Sequence, residues 1–212
     1  MLDGILQVIL KPVDFFRKLM DDDKLASRAF GVVLLVMVLS GVYGYFVAIP
    51  TADAMTNTPF GAFGLITTPI SFVVISLLSW LIFGLLIRMV SGINAKPWAI
   101  TAYSMSPQLI IYALLIVIAV LFPSKLTPIT IDPTQEPEAF QEAILSLQQE
   151  SQQTIFGRVS QIVSSLSSLW WIILIYLGVR EATDHRKALM SALMVGIPTF
   201  LLIVLPFLLS PI

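Results

Sequence analysis

Long uncharged apolar stretches recur along the chain and alternate with short segments that carry most of its charges. A bilayer core of about 30 Å takes roughly 20 helical residues to cross, so runs of this length predict transmembrane helices. Five such runs are present, at residues 29–49, 67–87, 98–122, 159–179 and 188–209. We therefore predict an all-α, polytopic membrane protein with five transmembrane helices.

Two short amphipathic stretches precede the first span. Their apolar residues are Leu2, Ile5, Leu6 and Ile9, then Phe15, Phe16, Leu19 and Met20, with a break near Lys11 and Pro12. Amphipathic helices of this kind lie in the interface between lipid and water. For the second stretch, packing against the protein's own inner loops fits the pattern equally well. We accordingly assign residues 1–28 to a cytoplasmic interfacial segment and residues 29–212 to the transmembrane domain.

The longest connection, residues 123–157, lies between spans three and four and begins with four prolines over 123–137. From Pro137, the apolar residues Phe140, Ile144 and Leu147 recur at helical spacing, which predicts an amphipathic helix outside the membrane. Three roles for this loop remain open. It caps the outer mouth of the bundle, meets a second copy of the chain, or is a solvated helical hairpin without a partner.

Charge sets the expected orientation, because short loops rich in Lys and Arg stay in the cytoplasm. With the N-terminus inside, ten of the twelve Lys and Arg residues fall on the inner side, and only Lys125 and Arg158 fall outside. We expect a multi-pass protein of the cell membrane with a cytoplasmic N-terminus and an external C-terminus.

Composition excludes several classes of protein. The chain is 57% hydrophobic and only 12% charged, against roughly a quarter charged in soluble domains. A net charge of −1 provides no general basic field for nucleic acid. With no Cys and one His, the chain can form neither a disulfide nor a thiolate or multi-histidine metal site. We expect neither a metal nor a cofactor.

The main polar feature at membrane depth lies in span three. Gln108 is ten residues past Trp98, about 15 Å into the bilayer at helical rise. Pro107 cannot donate a backbone hydrogen bond to Tyr103, while Ser104 and Ser106 add hydroxyls. We predict a polar membrane site formed by Tyr103, Ser104, Ser106 and Gln108. It either joins neighbouring helices or contacts a substrate or lipid.

A second candidate site consists of cations at the inner ends of the spans: Arg88, Lys96, Arg180, Arg186 and Lys187. Such residues serve as interfacial anchors. Together they could instead bind phospholipid head groups or an acidic partner.

Enzyme signatures are absent from the sequence, which contains no nucleophile elbow, no HExxH motif, no phosphate-binding glycine loop and no paired intramembrane carboxylates. Small residues four apart, such as Ser40 with Gly44 and Ser164 with Ser168, favour close helix approach. We expect a non-enzyme whose partners are membrane lipid, a second copy of the chain, or a membrane or cytoplasmic protein. It either organises membrane or partner proteins, or acts as a channel, transporter or lipid scramblase.

Three stretches carry a family resemblance: residues 11–16 (KPVDFF), residues 102–107 (AYSMSP), and residues 169–188, with Trp170, Trp171 and Gly178. Over nearly the whole chain the sequence resembles the Yip (Ypt-interacting protein) domain family. Eukaryotic members are associated with Rab-type GTPases, vesicle traffic and the shaping of the Golgi and endoplasmic reticulum. This chain has no Asp-Leu-Tyr-Gly-Pro type motif before span one, so it is more similar to the prokaryotic branch. The resemblance implies a non-enzymatic membrane protein with five spans.

Overall fold

The computed structural model describes residues 2–55, 59–128 and 137–201, which are almost entirely helical and contain no strand. The helices are α1 (Leu2–Leu10), α2 (Pro12–Asp21), α3 (Asp23–Ser27), α4 (Ala29–Ala54), α5 (Pro59–Ser91), α6 (Pro97–Ser104), α7 (Ser106–Leu121), α8 (Pro137–Gln153), α9 (Ile155–Ala182) and α10 (His185–Thr199). A single 3₁₀ turn, Ile93–Ala95, precedes α6. The prediction of an all-α protein is confirmed.

Four segments within the described residues are long and apolar enough to cross a membrane: Asp23–Ala54, Phe60–Ser91, Ile93–Leu121 and Ile155–Ala182. They contain the first four predicted spans, apart from Phe122 at the end of the third. Helices fit this setting because each pairs its backbone polar groups internally, where lipid offers none. Helix α10 covers the start of the fifth predicted span, whose residues from 202 onward lie outside the described part of the chain. The count of five therefore stays a prediction.

Local sequence explains where the N-terminal helices begin. Lys11 separates α1 from α2, and Pro12 occupies the first turn of α2, where its missing N–H costs nothing. Asp22 is the N-cap residue of α3, because its Oδ1 accepts hydrogen bonds from the amides of Lys24 and Leu25 at 2.8 and 3.1 Å. The predicted break near Lys11 and Pro12 is present.

The chain divides into two compact units. Within the described residues, the first unit comprises 2–37, 75–111 and 163–201, and so contains α1–α3, α6 and α10 with parts of the longer helices. The second unit comprises 38–74 and 112–162, apart from the two undescribed segments within these ranges, and contains α8.

Span three is interrupted at Met105, where α6 ends and α7 begins. Pro107 causes this interruption because it has no amide hydrogen to offer the carbonyl of Tyr103. The amide of Gln108 donates instead to the carbonyl of Met105, at 3.0 Å. A tighter backbone turn thus stands where a regular helix would have continued.

The helix predicted from Pro137 is present as α8 and packs within the second unit. Buried Leu147 joins Ala54, Met55 and Leu126 in an apolar cluster, against which Ile144 also packs. The side chain of Phe140, the third apolar residue of the predicted face, lies outside the described residues. Glu150 Oε1 strengthens the attachment by accepting hydrogen bonds from the amide and hydroxyl of Thr127, at 3.0 and 2.9 Å.

Two neighbouring leucines of α8 test this packing. Leu147 is 3% exposed and Leu145 is 56% exposed. We expect Leu147→Ala to lower the free energy of unfolding by about 2–5 kcal/mol, because it leaves a cavity in the cluster. Leu145→Ala should change it by less than about 0.5 kcal/mol. Thermal unfolding in detergent compares the two variants, and equal effects would contradict the packing of α8.

Candidate functional site

Helix α2 packs its aromatic face against the protein. Phe15, Phe16 and Leu19 are fully buried. The Phe15 ring meets the Tyr103 ring edge-on, with 4.7 Å between centroids. Of the two alternatives left open by the sequence, the structure has this stretch packed on its own chain.

Gly178 of α9 lies in close contact with side chains of α2 and α6. A methyl group at this position would lie 2.7 Å from Ile100 Cγ2 and 3.1 Å from the Phe16 ring. Only glycine fits there without displacing a neighbour. Helices α2, α6 and α9 therefore meet at one point in the first unit.

Lys96 attaches the end of α2 to the start of α6. Its Nζ donates to the carbonyls of Leu19 and Met20, at 3.0 and 2.9 Å, and lies 2.8 Å from Asp23 Oδ1. These contacts use all three donors of the ammonium group. They also place a positive charge at the C-terminal end of α2, where helix carbonyls lack partners and the helix dipole is negative.

The residues of the predicted polar membrane site flank the interruption of span three at Met105. Tyr103, Ser104 and Ser106 are fully buried, and Gln108 is half-buried. The Tyr103 hydroxyl donates to the carbonyl of Leu25 at 3.0 Å, which ties this residue to α3. The Ser104 and Ser106 hydroxyls have no hydrogen-bond partner within the described residues. Of the four predicted residues, Tyr103 is committed to the N-terminal helices through its hydroxyl.

The five predicted cations have different surroundings. Lys96 makes the internal contacts described above. Arg88 lies over the Trp98 ring, 5.4 Å from its centroid, in a cation–π contact. Arg180 contacts Glu181 at 3.3 Å and Lys187 contacts Asp184 at 3.7 Å. Arg186 is exposed.

Glu181 was not singled out by the sequence, although it links α9 to α2. Its carboxylate accepts a hydrogen bond from Arg17 Nε at 3.2 Å and contacts Arg180 at 3.3 Å. Together with Lys96, this contact brings the loops after α5 and α9 beside the N-terminal helices. That arrangement agrees with the predicted placement of all three on one side of the bundle.

Asp184 is the N-cap residue of α10 and lies outside the spanning segments. Its Oδ1 accepts a hydrogen bond from the amide of Lys187 at 2.9 Å. This hydrogen bond lowers the pKa of the Asp184 carboxyl, and the Lys187 ammonium lowers it further. The start of α10 is therefore held by a carboxylate that stays charged below its ordinary titration range.

Comparison with known proteins adds one finding. The family model of the Yip1 domain matches residues 6–209, nearly the whole chain and all of the contacts just described. No curated protein and no solved structure matches the chain.

Proposed function

We propose that this chain, which belongs to the Yip1 domain family, organises membrane lipid and partner proteins through its N-terminal face and is not an enzyme. It is a multi-pass membrane protein, since its described helices are long and apolar enough to span a bilayer. The distribution of Lys and Arg supports a cytoplasmic N-terminus and an external C-terminus. The face formed by α1–α3 would then lie in the cytoplasm, at the surface of the cell membrane.

The two apolar sides of α1 carry this proposal. Ile5 and Val8 are buried against the protein, whereas Leu6 and Leu10, one helical turn apart, are 54% and 75% exposed. A helix on a water-exposed surface needs only one apolar side, the side that packs on the protein. In the interface, Leu6 and Leu10 would enter the lipid while α2 holds the segment to the protein.

The predicted inner side as a whole carries ten Lys and Arg against seven Asp and Glu, and this excess supports a preference for anionic lipid. Lys11, Lys18 and Lys24 are exposed on the N-terminal segment, where five Asp balance the five Lys and Arg, and Arg186 and Lys187 are exposed in the first turn of α10. Such cations attract acidic head groups within a Debye length of the membrane surface. We retain Arg88, Arg180, Arg186 and Lys187 as head-group or partner contacts and assign Lys96 to holding α2.

Helix α5 supports contact with lipid or with a second copy of the chain. Only 17% of its most apolar stretch is buried, against 33–39% in the other three described spans. Its outward residues include Ile66, Ile70, Ile75 and Leu78. This apolar surface fits the acyl chains that surround a monomer and the interface of a homo-oligomer equally well.

Exposure of α1 to lipid is testable in nanodiscs by hydrogen–deuterium exchange over residues 2–10. We expect slower exchange in discs with anionic lipid than in zwitterionic ones, because the lipid covers Leu6 and Leu10. The double variant Leu6→Ser, Leu10→Ser should lose this difference. Gln7→Ser, at an exposed polar position on the same helix, should keep it. Exchange that ignores lipid composition in the unaltered protein would contradict the proposal.

A channel, transporter or lipid scramblase is the second candidate. The half-buried Gln108 beside the break at Met105 favours it, because a polar group near the middle of a span can contact a solute or head group. The organising role predicts no protein-dependent flux in proteoliposomes that report membrane potential and lipid scrambling together. Flux that Gln108→Leu abolishes, and that Leu114→Ala at an exposed position leaves intact, would favour the second candidate instead.

A further inference from the structure

Buried polar atoms without partners concentrate in the first unit. Within the described residues they are the hydroxyls of Ser104, Ser106, Ser165, Ser167 and Ser191 and the indole N–H of Trp171. Buried polar groups in proteins nearly always have a hydrogen-bond partner, and lipid cannot supply one. Helix hydroxyls can bond back to their own backbone, as Thr101 and Ser168 do at 2.8 and 2.9 Å. The unpartnered hydroxyls do not make this backbone bond, and neither they nor the Trp171 indole has another partner within the described residues.

Helical spacing places three of these groups on the faces of α6 and α9 that meet at Gly178. Gly178 of α9 faces Ile100 of α6. On α9, Trp171 and Ser167 lie seven and eleven residues before Gly178, on the same face. On α6, Ser104 lies four residues after Ile100, also on the same face. We call Ser104, Ser167 and Trp171 the polar seam.

Depth along the helices agrees with this placement. Spans three and four are consecutive and antiparallel, and each residue advances about 1.5 Å along its axis. Measured along the helix axes toward the predicted outer side, Ser104 then lies about 6 Å from the contact between Ile100 and Gly178, and Trp171 lies about 10 Å from it. An edge-on contact with Phe83, at 4.9 Å between centroids, holds the Trp171 ring.

The hydrogen-bonding groups of the seam complement each other. The Trp171 indole can only donate, whereas a serine hydroxyl both donates and accepts. Ser104 and Trp171 are about 4 Å apart along the helix axes, so one small molecule with both donors and acceptors can pair with both, whereas Ser167, about 10 Å from Ser104, needs a second molecule.

We propose that water occupies the polar seam and that Phe16 closes its end beside α2. Phe16 lies against Gly178 at the same point where Ile100 does, and Ser104 lies one helical turn after Ile100 on α6. Lys96 holds Phe16 there, because it binds the last carbonyls of α2. The proposal of a closed seam does not depend on whether the protein organises the membrane or transports a solute or lipid.

The absence of cysteine from the chain makes access to the seam measurable. Ser104→Cys supplies the only thiol, and its rate of modification by a small, membrane-impermeant thiol reagent is followed in nanodiscs. Adding Phe16→Ala should raise the rate about tenfold or more, the factor that about 1.4 kcal/mol in an opening equilibrium produces. Lys96→Gln should also raise the rate of thiol modification.

Matched controls separate opening from general loosening. Phe63→Ala and Lys24→Gln, both at exposed positions, should leave the rate unchanged, and Phe16→Leu should keep the seam closed. Size-exclusion chromatography confirms that each variant is folded. Should Phe16→Ala yield no folded protein, Lys96→Gln carries the same test. An unchanged rate in folded Lys96→Gln and Phe16→Ala would overturn the closure.

The unfolding midpoint of a seam variant tests directly whether water is bound. If water bridges the seam, Ser104→Ala breaks a satisfied network and lowers the unfolding midpoint. If the seam is dry, the same change removes an unpaired hydroxyl and raises the midpoint or leaves it unchanged, which would overturn the proposal. Ser168→Ala is the matched control, because this buried hydroxyl already donates to the carbonyl of Ser164.

Discussion

Lipid offers no hydrogen-bond partner to a peptide group, and this constraint shapes the whole structure. The apolar segments satisfy it by forming helices that pair their own backbone groups. Irregular backbone is therefore costly, and where it occurs inside a span it is buried by protein. The interruption at Met105 follows this rule, because Tyr103, Ser104 and Ser106 around it are fully buried.

The N-terminal helices complete the burial of this region. Phe15 covers the Tyr103 ring, Phe16 covers Gly178, and the Tyr103 hydroxyl reaches the carbonyl of Leu25. Lys96 then binds two carbonyls at the end of α2 and pairs with Asp23 at the start of α3. A segment that could have been an independent membrane anchor is instead part of the first unit. Its outer side, with Leu6 and Leu10, is what remains for lipid.

Local pattern explains the parts of the fold that could be predicted. Hydrophobic run length located the four described spans, and Pro12 and Pro137 marked the starts of α2 and α8. The attachments between these elements could not be predicted in the same way. Lys96 binds backbone carbonyls 76 and 77 residues away, and Arg17 binds Glu181 across 164 residues. Every residue has a backbone carbonyl, so the sequence does not show which one will accept a side-chain hydrogen bond. The aromatic pattern of α2 fits contact with lipid and packing on protein equally well.

The most direct test of this account asks whether α2 is bound to α9 in a membrane. The double variant Arg17→Cys, Glu181→Cys introduces the only two thiols into a chain without cysteine. A short bifunctional thiol crosslinker should join them efficiently within one chain in native membranes. Lys18→Cys with Glu181→Cys, whose first position is exposed beside Arg17, should crosslink much less. Equal crosslinking of both pairs, or none in either, would contradict the packing of α2 on the protein.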